Sequence, residues 1–390
     1  MTAAGRTPER WLVVANGHGE DHVAALVAQR LRRLRPELEL TALPLVGLGG
    51  ALQDAGLTLR DPRAALPSGG LTMHHPRLLW SDLRSGLVRL TVGQLATLRR
   101  SRVDRVLVVG DVYAHALAAL VPARRSVIQT LVSVRMQHPG AVALGPRRFM
   151  EGFRWPELPL MRASSVDAVY VRDEPSCAWL RARGVPARSL GNAMMDGAVG
   201  GRAMRMPDDR PVVALLPGSR IGASSSATRM LAALELAGPL VALVAWTGVA
   251  VPERPPHWRP IERREAGLLA AWERGGCEVW WLRGRFRDVL ASARAALGTS
   301  GTAQEQAAGV GLPVVSFVHP PLSAAFLANQ KRLLGAALVL SAPAPEAIAD
   351  ALRGALHDDA VRAAAARDGR ERMGPPGAAD RIAADLLATP

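Results

Sequence analysis

Short apolar runs, each closed by a turn and followed by helical spacing, constrain this chain more than any other feature. Trp11 to Ala15, Val106 to Gly110, Val166 to Val171, Val212 to Leu216 and Leu240 to Trp246 are such runs. They are almost wholly apolar rather than alternating, so they predict strands covered on both faces, as in a parallel sheet between helices. Further strands are expected at Leu38 to Leu45, Val127 to Val134, Cys277 to Leu282 and Val314 to Val318. Between the first two, Val23, Leu26, Val27, Leu31 and Leu34 predict a helix from about His22 to Leu34. A helix ending near Ala182 and another over Ala227 to Ala237 continue the alternation. Repeated strand–helix units predict an α/β chain of the doubly wound type. At 390 residues there is room for more than one such domain. The stretch 197–210, rich in Gly and charge, reads as a linker between a first domain over 1–196 and a second over 211–345. Residues 346–390 read as Ala-rich helices.

Two glycine turns stand directly after predicted strands of the second domain. Pro217-Gly218-Ser219-Arg220 follows Val212 to Leu216, and Gly298-Thr299-Ser300-Gly301-Thr302 opens a short helix that stops at Gly311-Leu312-Pro313. Glycine lets the backbone approach a ligand closely. Ser300 and Thr302 can cap a helix, and the free N–H groups at its start suit a phosphate. Arg220 can pair with phosphate oxygens through two parallel bonds, and Ser219 can add a hydroxyl. The first domain has its own early loop, Asn16-Gly17-His18-Gly19-Glu20-Asp21, which is not the GxGxxG of dinucleotide sites.

Leu216-Pro217-Gly218-Ser219-Arg220 followed by Thr299-Ser300-Gly301-Thr302-Ala303 resembles bacterial lipid-A-disaccharide synthase and its synthase-related relatives. It resembles more distantly other GT-B nucleotide-sugar glycosyltransferases, including the peptidoglycan N-acetylglucosaminyltransferase. Gly191-Asn192-Ala193-Met194-Met195-Asp196 is similar to the Gly-His-Pro-Leu-x-Asp element of that family, and Asn16 to Asp21 to its N-terminal loop. The matches run from about Trp11 to Arg332. The chain departs from the pattern at Asn192 and Ala193, which replace its His and Pro. It departs again at Gln306, where many GT-B enzymes carry a ribose-binding Glu seven residues before the loop's proline.

The resemblance implies a GT-B fold: two Rossmann-like doubly wound domains facing a cleft, with the C-terminal helix crossing back to the first. It implies an inverting, metal-independent transfer of an N-acetylglucosamine-type sugar from a UDP-sugar donor to a lipid acceptor, with no separate cofactor. Ser219, Arg220, Ser300, Gly301 and Thr302 would hold the diphosphate, and Glu305 or Gln306 the ribose. The backbone near Phe286 would meet uracil, and Asn329 and Gln330 the donor sugar. Inverting transfer needs a base near the acceptor hydroxyl. The candidates are His18, Asp21 and Asp111, with Asp111 favoured as base and the other two positioning the acceptor. No Asp-x-Asp metal motif is present. A UDP-sugar 2-epimerase of the same fold and a non-catalytic UDP-sugar-binding protein are the rival readings.

The formal net charge is +14, and Lys331 is the single lysine. Such a balance suits an anionic membrane surface or nucleic acid. Aromatic residues make up only 4%, too few for base-stacking platforms, so the membrane is preferred and no nucleic acid is expected. Leu71 to Arg105 interleaves Leu, Val and Trp with Arg, and predicts one or two helices with an apolar face and a basic edge. That face is either core or a surface that meets lipid. With no long apolar run, two cysteines and no signal-peptide pattern, a cytoplasmic protein, peripheral on the inner face of the plasma membrane, is expected.

Overall fold

The computed structural model describes residues 8–17, 19–66, 76–136, 153, 157–218, 222–248, 250–320 and 322–389, with 76–79 described as helical backbone only. The chain divides into two units, residues 1–196 with 375–390, and residues 197–374.

The first unit holds β1 (Arg10–Ala15), β2 (Glu39–Pro44), β3 (Thr58–Leu59), β4 (Arg105–Val109), β5 (Arg124–Gln129), β6 (Val166–Val171) and β7 (Ala187–Arg188). They form one sheet in the order β3-β2-β1-β4-β5-β6-β7, and every pairing is parallel. Its helices are α1 (Gly19–Leu34), α2 (Gly50–Asp54), α3 (Pro76–Arg84), α4 (Leu87–Arg100), α5 (Val112–Ala118), α6 (Glu157–Met161) and α7 (Glu174–Arg181). Trp11 to Ala15 are buried without a break, which is why the strand's sequence shows no alternation.

The fifth strand differs from its expected span. It begins at Arg124 rather than Val127 and ends at Gln129. Arg124, Arg125 and Ser126 mask a strand start in the sequence, yet Arg125 and Ser126 pair with β4 and β6. The Arg125 guanidinium donates to the Ser165 hydroxyl at 2.8 Å. The strand stops where the Gln129 side chain accepts the Leu131 N–H at 3.1 Å. Similarly, α1 starts earlier than its apolar spacing, because Glu20 and Asp21 form its first turn, where acidic groups suit the helix dipole.

The second unit holds β8 (Val212–Leu216), β9 (Leu240–Ala245), β10 (Arg259–Pro260), β11 (Leu268–Arg274), β12 (Cys277–Leu282), β13 (Ala295–Gly298), β14 (Val314–Phe317) and β15 (Leu338–Ser341). Their order is β10-β11-β12-β9-β8-β13-β14-β15. The sheet is parallel from β12 to β15, and β10 and β11 extend it antiparallel. The helices are α8 (Ala223–Ala237), α9 (Phe286–Ser292), α10 (Gly301–Gly309), α11 (Ala324–Leu334), α12 (Pro345–His357) and α13 (Asp359–Met373). One core packs β8, β9, β13 and β14 against Met230, Leu234, Ile348 and Leu352 of α8 and α12.

The last helix, α14 (Ala378–Ala388), returns to the first unit and packs on α1. Ala379, Ile382, Ala383 and Leu386 are buried there. Arg30 pairs with Asp380 at 2.9 Å, and the Tyr170 hydroxyl donates to Asp385 at 2.7 Å. The start of α14 is capped from a distance. The Asp196 carboxylate accepts the backbone N–H groups of Gly377 and of Ala379, the latter at 2.6 Å. These are donors that a helix start leaves without an internal partner.

Candidate functional site

In the second unit the strand order reverses beside β8. The chain passes from β8 to β9 on one side and later places β13 on the other. Ligands of open α/β sheets sit outside the carboxyl ends of the strands at such a reversal. Gly298 of β13 pairs with Leu216 of β8, so Pro217-Gly218 and Thr299-Ser300 leave the sheet side by side. Gly218 has φ +94°, and a Cβ on it would stand 3.4 Å from the Ser300 Cβ. A side chain there is therefore strained by the backbone conformation, while it would meet the second turn only in ordinary contact.

The first turn of α8 is tied to this loop. The Ser226 and Thr299 hydroxyls lie 2.5 Å apart, and both residues are buried. Ser300 is the N-cap of α10, but its hydroxyl makes no cap bond and is shielded from water without a partner. An unpaired buried hydroxyl costs stability, and the Ser300 hydroxyl has the capacity to donate to one further oxygen. Gly301 and Thr302 follow in the first turn, half-buried. α8 and α10 thus both begin beside the same crevice, with free N–H groups at their starts suited to anions.

Further along α10, Glu305 is buried and accepts from the Gln330 amide of α11 at 2.9 Å, while the Gln330 carbonyl oxygen is buried without a partner. Gln306 is half-buried. Asn329 is buried and hydrogen-bonded by Arg332. Phe286 is half-buried as the first residue of α9, just past the end of β12. The structure therefore brings Ser300, Gly301 and Thr302 together and couples Glu305 to Gln330. Ser219 and Arg220 lie outside the described residues.

The first unit reverses in the same way between β1 and β4, and the Asn16 N–H donates to Val109 at 3.1 Å across that boundary. Asp111 sits just past β4 as the N-cap of α5, accepting the Tyr113 N–H at 3.0 Å. Burial raises its proton affinity, and hydrogen bonds from backbone N–H groups and from the Asn16 side chain oppose the rise. Asp21 lies in the first turn of α1, buried, with one carboxyl oxygen unpartnered. Burial pushes its pKa up to about 7, against a Gly17 backbone hydrogen bond. His18 lies outside the described residues.

Several residues of these edges carry no sequence signal of their own. Glu157 is buried, accepts the Gln129 amide at 2.6 Å, and has its pKa raised to about 7 by burial and, to a lesser extent, by Asp111. Ser226 and His319 also escape a reading by motif, although the run Ser224-Ser225-Ser226 at the start of α8 was a usable hint.

Two Rossmann-like sheets with a final helix returned to the first unit define the GT-B fold, and this chain has it. Among solved structures it resembles CalG4, the calicheamicin glycosyltransferase, at 18% identity over 98% of each chain, with a TM-score of 0.60. It also resembles Medicago truncatula UGT71G1 complexed with UDP-glucose, at 12% identity over 97% of each chain and a TM-score of 0.58. A UDP-N-acetylglucosamine 2-epimerase matches at 13% identity, over 98% of this chain and 96% of the other, with a TM-score of 0.55. No protein-family model and no curated protein sequence matches the chain.

Proposed function

We propose that this protein is a glycosyltransferase related to lipid-A-disaccharide synthase, moving an N-acetylglucosamine-type sugar from a UDP-sugar to a lipid-linked acceptor. The observation that carries the reading is the meeting of two glycine turns and two helix starts at the β8–β13 reversal, around the unpartnered Ser300 hydroxyl. That arrangement suits a diphosphate. Ser219 and Arg220 follow Gly218 in sequence and would complete it, while Glu305, held by Gln330, would take the ribose. Of the two, Glu305 is favoured over Gln306 because a carboxylate accepts from both ribose hydroxyls. Phe286 would meet the uracil, and Asn329 and Gln330 the sugar. Helix starts and Arg220 would stabilise the leaving diphosphate electrostatically. In the first unit Asp111, half-buried at the strand edge, would take the acceptor's proton, with Asp21 and His18 orienting the acceptor.

The acceptor side has a surface that suits lipid. Trp80, Val88 and Val92 are more than half exposed on α3 and α4, and the Arg84 guanidinium lies 5.2 Å from the Trp80 ring centre. Each basic residue near an anionic bilayer adds about 1 kcal/mol of attraction. The protein should therefore sediment with anionic vesicles at low salt and be released at high salt. Retention in the supernatant at low salt would assign this face to another role.

The likeness to a 2-epimerase favours one rival, an enzyme that inverts the donor sugar itself. Incubation with UDP-N-acetylglucosamine and a lipid extract separates the readings. Glycolipid plus UDP supports the transferase, an epimerised nucleotide sugar the rival, and binding without turnover a non-catalytic protein. Arg220→Ala should weaken UDP binding by about 1.5–3 kcal/mol, the scale of a charged hydrogen bond.

A further inference from the structure

The start of α8 poses a problem that its own sequence does not solve. Its N-cap is Gly222, at φ +95°, which has no side chain to hold the first turn. The Gly222 carbonyl instead gathers donors: the Ser226 N–H at 2.8 Å and the Ser225 hydroxyl at 3.0 Å. The Ser225 oxygen in turn lies 3.0 Å from Nε2 of His319. Because the one hydroxyl proton is committed to Gly222, the ring must donate, which fixes the proton on Nε2. His319 is buried just past β14. Its place is set by the Leu322 N–H, which donates to its carbonyl at 2.7 Å, and by the edge of the Phe317 ring, 6.1 Å between centroids.

We propose that His319 is a positioning residue of the diphosphate site, locking the first turn of α8 through Ser225 and Gly222 and tightening donor binding when it is protonated. This rests on the donor-site reading above. The locked turn is the one whose Ser226 meets Thr299, so its N–H groups are held at the same crevice as Ser300. The ring's surroundings favour its neutral form. Burial lowers its pKa first, Arg229 of α8 lowers it further, and the Gly222 carbonyl works the other way. β14 contributes the uncharged Phe317. A diphosphate at the starts of α8 and α10 brings negative charge that favours the imidazolium, so binding takes up a proton and strengthens as pH falls.

Calorimetry with UDP-N-acetylglucosamine between pH 5.5 and 8 tests this, because the doubly esterified diphosphate keeps its charge throughout that range. Wild-type affinity should rise about tenfold from pH 8 to pH 5.5, as expected of a histidine titrating beside an anion. His319→Gln can still donate to Ser225, so it should match the wild type at pH 8 but show a flat profile. Ser225→Ala breaks the lock and should weaken binding at every pH. A His319→Gln profile parallel to the wild type, or a flat wild-type profile, overturns the assignment while leaving the donor site standing. If the wild type binds neither this sugar nucleotide nor UDP at any pH, the donor-site reading falls and the role of His319 with it.

Discussion

Asp111 and Asp21 show how two carboxylates at one sheet edge come to differ. Asp111 is half-buried, and burial raises its proton affinity while backbone N–H groups oppose the rise and hold the carboxylate in place at the strand edge. Replacing it by Asn keeps a cap acceptor but removes the base. The expected outcome for Asp111→Asn is a kcat lower by about 10²–10⁴ with UDP affinity unchanged. Near-normal turnover would return the role of base to His18 or Asp21. Asp21 is buried with an unpartnered oxygen and a pKa raised to about 7. A carboxyl whose folded pKa lies above its unfolded value favours the folded state most at low pH, and that advantage is lost as pH rises through the folded pKa. Asp21→Asn removes the buried charge. It should therefore raise stability by about 1–4 kcal/mol at pH 8, and the difference should vanish below pH 4. Thermal unfolding at the two pH values measures this, and equal melting temperatures at pH 8 would show that the carboxylate has a partner when charged.

Helix starts decide most of the local structure that matters here. α5 and α7 carry their own aspartate caps, Asp111 and Asp173, which sequence spacing makes legible. α14 begins after Gly377 with no cap of its own and borrows Asp196, far away in the chain. The Asp196 of the Gly191–Asp196 element thus has a structural explanation: it fastens the returning helix. Asp196→Ala leaves the N–H groups of Gly377 and Ala379 without their acceptor and should cost about 1–3 kcal/mol. Hydrogen exchange should show faster exchange along α14 and α1, with the second unit unaffected. Unchanged protection in α14 would mean that its buried apolar face alone holds it.

The two units differ in how they are assembled from the sequence. The second is continuous, residues 197–374, whereas the first is completed by residues 375–390. The second unit has its own core, its whole sheet and both turns of the β8–β13 crevice. Residues 197–374 expressed alone should therefore fold cooperatively and bind UDP within about tenfold of the full chain, on the reading that the donor site is complete there. A chain ending at Gly374 should keep that affinity but lose stability in the first unit, where Ile382 and Leu386 would leave exposed the face they cover. Loss of UDP binding by the 197–374 fragment would place part of the donor site in the first unit.

Much of the fold was legible because buried parallel strands cannot hide their composition. Trp11 to Ala15, Val166 to Val171 and Val212 to Leu216 read as strands and are strands, since burial on both faces selects apolar residues, with Asp167 standing out as the charged residue of β6, where it pairs with Arg124. β5 was misplaced because Arg124 and Arg125 look like a loop, and only parallel neighbours on both sides, with Ser165 to receive a guanidinium, make them a strand. The hairpin partner β11 was missed for a related reason. Its run Leu268 to Trp272 is made of Leu, Ala and Trp with no β-branched residue, and only part of it is buried. At the candidate site the glycine turns were visible in the sequence, because positive φ and close approach demand glycine. The pairing of Glu305 with Gln330, of Ser226 with Thr299 and of His319 with Ser225 was not. Such contacts join residues distant in the chain, and strand order alone brings them together. The sequence by itself therefore determined which segments become strands and where the backbone must turn. Only the tertiary structure decided which turns become neighbours, because strand order and register are set by long-range packing rather than by any local run of residues.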